Sequence, residues 1–374
     1  MVPVTRNFRP LGNPVADIRN IERLAMEQRV PLEDVLLIAI NLYGISSDQD
    51  RHRARVAVRL VSEPGVAWQV IVPLNAQESP FELSGEDLVI QGRLIGHVER
   101  IDADEAVGGY FRDGGRAATL NPNARSRCTG CAFCPNTLEA AADPRLTEDR
   151  ALDELFTALV EQHPRRSLAE LAEVTVSTGC FEREQAAVEH LVAMRAACSR
   201  HRITARIGFL TSVIRSGEAF EQIAADVAPF VLRLTAECFT RRDLMLKASK
   251  ATLLVEQMPD LLALARRAGL DTSYTYIVGL DSLPTMTEGI DALAPHITEF
   301  PNFQVYQAHN SIMAGLRAPA ADDLAFYLEA RRAIETSVGP TGLRPVAWEC
   351  YRPLWYFTFG DEALITDTVA GSAR

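Results

Sequence analysis

Three cysteines stand close together at about one third of the chain. They occur in the run Arg127-Cys128-Thr-Gly-Cys131-Ala-Phe-Cys134-Pro135, where each cysteine follows the previous one by three positions. Thiolates this close in one loop can coordinate a single metal centre, and soft sulfur ligands select iron–sulfur clusters or zinc. The run therefore predicts a metal site in this loop.

The number of cysteines limits what such a centre can do. A bacterial ferredoxin run opens with the same spacing and continues with a fourth cysteine four positions after the third, but this chain has Leu138 there. Three ligands leave one iron of a cubane without a protein ligand, and an open iron can bind and activate a small molecule. Two other interpretations stay open: a structural zinc site made of Cys128, Cys131 and one remote ligand, or free thiols.

The composition predicts a globular, cytoplasmic protein. Of the 374 residues, 47% are hydrophobic, which is ample apolar material for a core. No apolar run reaches the ~20 residues that span a bilayer, and the N-terminus lacks the apolar segment of a signal peptide. The net charge of −11 argues against a surface that grips the phosphate backbone of a nucleic acid, and we expect no membrane partner.

Residues 1–115 are predicted to form a small α+β accessory domain. Asn13–Glu27 has helical periodicity, and Val35–Leu42 is apolar enough for a helix or a strand. Alternating runs predict strands at Val56–Val61, Trp68–Val72 and Leu88–Val98. No motif in this part indicates a particular function.

In residues 116–374, short apolar strands alternate with helical segments. The predicted strands are Ala118–Leu120, Glu173–Ser177, Thr204–Thr211, Phe230–Ala236, Ser273–Gly279 and Phe303–Ala308. The predicted helices are Asp149–Gln162, Arg183–His201, Glu218–Val227, Thr252–Ala268, Thr285–Leu293 and Ala321–Ser337. This α/β alternation predicts a parallel sheet, and six strands fit a partial (β/α)6 TIM-type barrel better than an eight-stranded one. A doubly wound open sheet agrees with the same periodicity.

The cysteine run follows the first of these strands. It therefore belongs to the first strand-to-helix loop, at the C-terminal face of the sheet, where barrel enzymes carry their active sites.

The cysteine run resembles the signature of the radical S-adenosylmethionine (SAM) superfamily, C-x3-C-x-aromatic-C. Cys131-Ala-Phe133-Cys134 reproduces its second half, with Phe133 at the aromatic position, whereas Cys128 precedes Cys131 by one position fewer than in the family. The resemblance covers about Ala118 to Ala308. It implies a [4Fe-4S] cluster held by the three cysteines, with SAM bound to the open iron.

The resemblance also implies positions for SAM. The turn Ser177-Thr178-Gly179 after the second strand matches the motif that receives the amino group. Glu237, at the end of the fourth strand, and Lys247 resemble the residues that meet the ribose hydroxyls and the carboxylate in biotin synthase and its relatives. Ile277 and Gly279 of the fifth strand match the region whose backbone meets adenine.

The implied activity is reductive cleavage of SAM to a 5′-deoxyadenosyl radical, which abstracts hydrogen from a small-molecule substrate such as an amino acid or a natural-product precursor. Flavodoxin or ferredoxin is the implied electron donor. The residues that we predict to contact the substrate are Arg215, His309 and Asn310, with further polar contacts from Gln304, Tyr306 and Gln307. Two alternatives stay open: SAM-derived aminocarboxypropyl transfer, and a non-enzymatic zinc or iron–sulfur binding protein.

Overall fold

Two large β-sheets and the helices around them form the protein. The computed structural model describes residues 17–49, 54–74, 79–103, 108–112, 115–121, 130–134, 149–163, 165–177, 181–346 and 352–364. Cys128, Thr178 and Gly179 lie outside these residues. Among the described helices, none has the length and apolar character needed to cross a bilayer.

The N-terminal part contains two helices and five antiparallel strands. The elements are α1 (Ile18–Gln28), α2 (Leu32–Tyr43), β1 (Ala54–Leu60), β2 (Ala67–Val72), β3 (Phe81–Ser84), β4 (Asp87–Ile90) and β5 (Arg93–Ala103). The sheet order is β2-β1-β5-β4-β3. The segment with two possible interpretations is therefore a helix, α2, and its residues from Asp34 to Leu42 are buried.

One strand prediction in this part was wrong. The run Leu88–Val98 is two strands, β4 and β5, rather than one. Gln91 and Gly92 separate them with left-handed backbone angles, φ 51° and 75°. Such angles at two successive residues form the tight turn of a hairpin.

The second sheet has seven strands in the order of the chain. They are β6 (Gly108–Arg112), β7 (Ala117–Asn121), β8 (Glu173–Val176), β9 (Arg206–Thr211), β10 (Phe230–Glu237), β11 (Asp271–Val278) and β12 (Asn302–Val305). All six strands from β7 to β12 pair in parallel, and β6 adds an antiparallel edge. Each strand lies beside the next one in sequence, whereas a doubly wound sheet reverses its order at a switch point. The predicted partial α/β barrel is confirmed.

Helices alternate with the parallel strands, as predicted. They are α3 (Asp149–Gln162), α4 (Glu184–Arg200), α5 (Gly217–Asp226), α6 (Arg242–Met245), α7 (Ala248–Ala251), α8 (Met258–Arg267), α9 (Leu283–Leu293), α10 (Ser311–Ala314) and α11 (Leu324–Val338). Two short strands, β13 (Thr358–Phe359) and β14 (Glu362–Ala363), follow. The apolar faces of the helices and sheets share one large core.

A buried ion pair joins the N-terminal part to the C-terminal segment. Asp34 of α2 is completely buried, and its carboxylate lies 3.1 Å from the guanidinium of Arg331 in α11. The same carboxylate accepts backbone hydrogen bonds from Tyr356 and Phe357, at 2.6 and 3.1 Å. A buried charge needs this degree of compensation. Helix α2, helix α11 and the segment around Tyr356 therefore pack together.

Candidate functional site

The described part of the cysteine loop lies over the C-terminal ends of β10, β11 and β12. The backbone N–H of Ala132 donates to the carbonyl of Met245 at 2.8 Å, which ties the loop to α6. Cys131 and Phe133 are buried in a small apolar cluster together with Cys238, Met245, Leu246, Ile277, Leu280, Tyr306 and Met313. The loop thus occupies the face of the sheet where the sequence predicts the active site.

Backbone N–H groups contact both the sulfur and the carbonyl oxygen of Cys131. The backbone N–H of Lys247 donates to Cys131 Sγ at 3.4 Å, and the N–H of Cys134 donates to the carbonyl of Cys131 at 2.9 Å. Burial raises the pKa of the Cys131 thiol to about 11, with a further increase from Glu237 and an opposing effect from Lys250. In the absence of a metal, this thiol holds its proton at neutral pH.

The donor set of the loop fits an iron–sulfur cluster. Two thiols three positions apart, apolar surroundings and a backbone N–H directed at a sulfur are features of such sites. Within the described residues, no group of three or more His, Cys, Asp or Glu side chains is arranged to hold a metal ion. The third predicted ligand, Cys128, lies outside those residues, so the trio stays a prediction.

Glu237 stands at the C-terminal end of β10, next to this loop. Its backbone is left-handed, with φ 66°, and the pairing of β10 with β11 shifts register between Thr235 and Glu237. Its carboxylate forms an ion pair with the ammonium of Lys250 in α7, at 2.7 Å, and both side chains are mostly buried. The structure therefore places a carboxylate and an ammonium beside Cys131.

Lys247 contacts a different carboxylate. Its ammonium pairs with Glu182, whose side chain is largely exposed, while its backbone N–H reaches Cys131. The sequence pointed to Lys247 as the partner of the SAM carboxylate, but Lys250, one helical turn later, is the lysine that meets Glu237. The predicted role of Lys247 stays a prediction.

Two residues that the sequence did not single out shape the bend after Glu237. Buried Asp281 accepts hydrogen bonds from the backbone N–H groups of Phe239 and Thr240, at 2.7 and 3.0 Å. Buried Arg242 donates to the carbonyl groups of Ala236 and Cys238, at 2.5 and 2.6 Å. Asp281 comes two positions after Gly279, just beyond the end of a strand. An acidic residue at a strand end was the signal in the sequence from which its role could have been predicted.

Ser177, Ile277 and Gly279, the other predicted SAM contacts that the structure describes, lie on the same edge of the sheet. The N–H of Ser177 continues β8 by donating to the carbonyl of Leu120 at 2.7 Å. Ile277 packs in the apolar cluster with Cys131. Gly279 has φ 112°, and a Cβ there would lie 2.5 Å from the hydroxyl of Tyr327, so the chain requires glycine at this position.

The predicted substrate residues have structural contacts. Arg215 donates to the carbonyl groups of Ser212 and Ser249, at 2.8 and 3.1 Å, and so ties the loop after β9 to α7. Asn310 is exposed and caps α10 by accepting the N–H of Met313 at 2.8 Å. His309 is half-buried beside it. No substrate role follows for them from these contacts.

Gln307 connects the two parts of the protein. Its amide donates to the carbonyl groups of Asn41 and Ile71, both at 2.6 Å, and its oxygen accepts from Arg352 at 3.2 Å. These bonds occupy the polar atoms that we predicted to contact a substrate.

Comparison with known proteins gives structural likeness alone. No family model and no curated protein matches the chain. Part of the chain is similar to SuiB from Streptococcus suis bound to S-adenosylmethionine, with 12% identity over 52% of this chain and 41% of that chain, at a TM-score of 0.37. It is also similar to the radical S-adenosylmethionine methyltransferase TsrM from Kitasatospora setae, with 15% identity over 51% and 36% of the two chains, at 0.38.

A third similar structure is HemN from Escherichia coli, a coproporphyrinogen III oxidase and radical SAM enzyme. The identity is 14% over 60% of this chain and 55% of that chain, at a TM-score of 0.39. The chain thus matches between 36% and 55% of the length of these three proteins. At such TM-scores, the likeness supports no conclusion about chemistry, which depends on the residues of this chain.

Proposed function

We propose that the chain is a radical SAM enzyme. The observation that carries this proposal is the position of the cysteine loop, with buried Cys131 beside the ion pair of Glu237 and Lys250 at the C-terminal edge of a six-stranded parallel sheet. A zinc-stabilised binding protein would need the thiols but not this pair of buried charges beside them.

The residues of the site have distinct proposed tasks. Cys128, Cys131 and Cys134 hold a [4Fe-4S] cluster, and the turn Ser177-Thr178-Gly179 receives the amino group of SAM. Glu237 accepts hydrogen bonds from the ribose hydroxyls, while Lys247 or Lys250 faces the SAM carboxylate. The backbone near Ile277 and Gly279 meets adenine.

When bound, the cluster and SAM supply a 5′-deoxyadenosyl radical that abstracts hydrogen from a small-molecule substrate. The protein orients both molecules and excludes water from them. Phe133, Ile277 and Tyr306 provide an apolar surface beside the cysteines that suits this task. A flavodoxin or ferredoxin is the proposed electron donor.

The test is an anaerobic SAM-cleavage assay. The chain is reconstituted with iron and sulfide, reduced with dithionite and mixed with SAM, and 5′-deoxyadenosine is measured by mass spectrometry. We expect product from the parent and none from Cys131→Ala. The matched control is Cys198→Ala, which removes a buried thiol of α4 far along the chain from the loop and should leave the product unchanged.

Other results would redirect or reject the proposal. A cluster that yields another SAM fragment would indicate aminocarboxypropyl transfer. Zinc in place of a four-iron cluster, or equal product from Cys131→Ala and the parent, would contradict the proposal.

A further inference from the structure

The concave side of the large sheet can be identified from the alternation of its side chains. Successive residues of a strand point to opposite faces. In β10, Leu232, Leu234 and Ala236 join the large apolar core that the helices cover. Arg233 and Thr235 therefore lie on the concave face, and the contact of Arg233 with Glu173 of β8 agrees with this placement.

Polar residues predominate across the middle of this face. The residues that the alternation places there are Thr119, Ser177, Leu210, Thr235, Thr275 and Gln304. The interior of a complete TIM barrel is filled mainly by branched aliphatic side chains at these levels. A polar middle layer does not serve such packing.

Charged residues close one end of the concave space. Glu173 of β8 accepts bidentate hydrogen bonds from Arg233, at 2.7 and 3.0 Å, and further bonds from Arg206, at 2.7 and 2.9 Å. A Cβ on Gly208 would lie 2.0 Å from Arg233 Nη1, so glycine makes room for the guanidinium. We call this group, with Arg112 and Glu299, the charged floor.

The apolar cluster of the cysteine loop covers the other end. Ile277 is two positions after Thr275 on the same strand and packs with Cys131 and Phe133. Tyr306 follows Gln304 in the same way and belongs to the same cluster. The polar layer thus lies between the charged floor and the candidate cluster site.

Two hydroxyls in this layer are buried and have no hydrogen-bond partner. Thr235 and Thr275 are 4% and 2% exposed, and neither Oγ1 meets a donor or acceptor in the described structure. Buried polar atoms are normally satisfied, and each exception asks for an explanation. Thr119, Ser177 and Leu210 lie on or directly after internal strands and are only half-buried, as is Gln304 of the edge strand β12, so this face is partly accessible beside the two hydroxyls.

We infer that the concave face binds a small polar molecule that presents two neighbouring oxygen atoms to Thr235 and Thr275. The two threonines are direct register partners on adjacent parallel strands, so their side chains stand about 5 Å apart. A carboxylate or a vicinal diol can receive or donate a hydrogen bond at both hydroxyls. This inference rests on the proposed function only where it names that molecule as the substrate. In that case, the C–H bond that reacts would point towards the cysteine loop.

The first test compares threonine-to-valine variants by thermal unfolding. Thr235→Val/Thr275→Val removes two unsatisfied hydroxyls at constant shape, so we expect an equal or higher Tm. The control, Thr272→Val on the same strand, removes a hydroxyl that donates to the carbonyl of His296 at 2.7 Å and should lower the Tm. A double variant that loses as much stability as the control would show that the two hydroxyls are structural, and the inference would fall.

The second test identifies the chemistry of the space by soaking crystals with glycerol, acetate or benzene. We expect glycerol, acetate or both to bind with oxygen atoms at Thr235 and Thr275, and the two soaks separate a diol site from a carboxylate site. Neither glycerol nor acetate should bind to the double valine variant, because an apolar cavity favours an apolar molecule. Benzene in the parent, or neither oxygen probe at the two threonines, would overturn the inference.

These tests require no cluster and no SAM. If SAM cleavage fails while an oxygen probe binds at the two threonines, the proposed function is wrong and the binding site stands. If SAM is cleaved while the soaks fail, the substrate class named here is wrong.

Discussion

At the scale of the residue, Glu237 combines a strained backbone with a paired charge. A left-handed angle at a residue other than glycine costs free energy and persists where surrounding contacts enforce it. Here Asp281 fixes the backbone that follows, and Arg242 holds the carbonyl groups on both sides of Glu237. Such enforced strain is common at functional sites, and here it directs a carboxylate to the cysteine loop.

Replacing Glu237 should weaken SAM binding. Glu237→Gln keeps the shape but removes the charge that pairs with Lys250 and that we propose to accept the ribose hydroxyls. Hydrogen bonds to charged groups contribute about 1.5–3 kcal/mol, so we expect the Kd for SAM to rise roughly 10- to 100-fold. Equilibrium dialysis with the reconstituted, unreduced protein measures this constant without turnover.

Glu182→Gln is the matched control for this prediction. Glu182 pairs with Lys247 at the surface, where an ion pair contributes little, so the Kd should change by less than about threefold. An equally large rise in the Kd for SAM with both substitutions would indicate that Lys247 binds the SAM carboxylate. Glu237 would then have no special role.

At the scale of the element, the charged floor closes the strands β8, β9 and β10 at their N-terminal ends. Burial alone would raise the pKa of Glu173, but the guanidinium groups of Arg233, Arg112 and Arg206 outweigh burial and hold it well below its ordinary value of 4.5. Burial has the dominant effect on Glu299 and raises its pKa. Glu173 therefore stays ionised to a lower pH than an ordinary carboxylate.

The charged floor predicts a dependence of stability on pH. A carboxylate with a lower pKa in the folded than in the unfolded state stabilises the protein fully above its ordinary pKa, and this stabilisation is lost as the pH falls below it. Urea unfolding of the parent should show the onset of this loss as the pH falls from neutral to about 4, with most of it at still lower pH. Glu173→Gln should cost about 3–5 kcal/mol at neutral pH, because it leaves buried guanidinium groups uncompensated, and should flatten the pH dependence.

Glu170→Gln provides the comparison. Its carboxylate is exposed and pairs with Arg165 at the surface, so both its stability and its pH dependence should match those of the parent. A similar loss of stability in Glu170→Gln, or an unchanged pH dependence in Glu173→Gln, would contradict the assignment.

The parallel strands could be predicted because they are short apolar runs, as expected of strands that are buried on both faces. Apolar runs such as Phe230–Ala236 give a strong signal between helical segments. The short strand β3 and the edge strand β6 have few apolar residues and therefore give no such signal. The hairpin at Gln91-Gly92 was missed because its flanking strands together resemble one long alternating run.

The site was only partly predictable. The cysteines, Glu237 and Gly279 follow from motifs and strand ends. The pairing of Glu237 with Lys250 instead of Lys247 depends on how α6 and α7 fold back over β10, which no local pattern encodes. The buried hydroxyls of Thr235 and Thr275 become visible only when neighbouring strands are in register.

At the scale of the whole molecule, the ion pair of Asp34 and Arg331 couples the two parts of the chain. Asp34→Asn should leave the buried Arg331 charge uncompensated and cost about 3–5 kcal/mol of unfolding free energy. Because helices from both parts share this pair, we expect fluorescence and circular dichroism to report one coincident transition in urea.

Glu27→Gln, which neutralises an exposed partner of Arg23, is the control and should change stability by less than about 1 kcal/mol. Two separate transitions in the parent would show that the parts unfold independently. The predicted division near residue 115 stays a prediction, since the larger sheet already begins at Gly108 and the large apolar core is continuous across both parts.

The bonds of Asp34 also determine when the protein can finish folding. The hydrogen bond from Tyr356 to Asp34 spans 322 positions, so its acceptor leaves the ribosome long before its donor. At typical synthesis rates of about 5–20 residues per second, the nascent chain waits on the order of tens of seconds with α2 lacking its final partners. We expect the growing polypeptide to depend on chaperones that cover this apolar helix until the segment that contains Tyr356 has been synthesised.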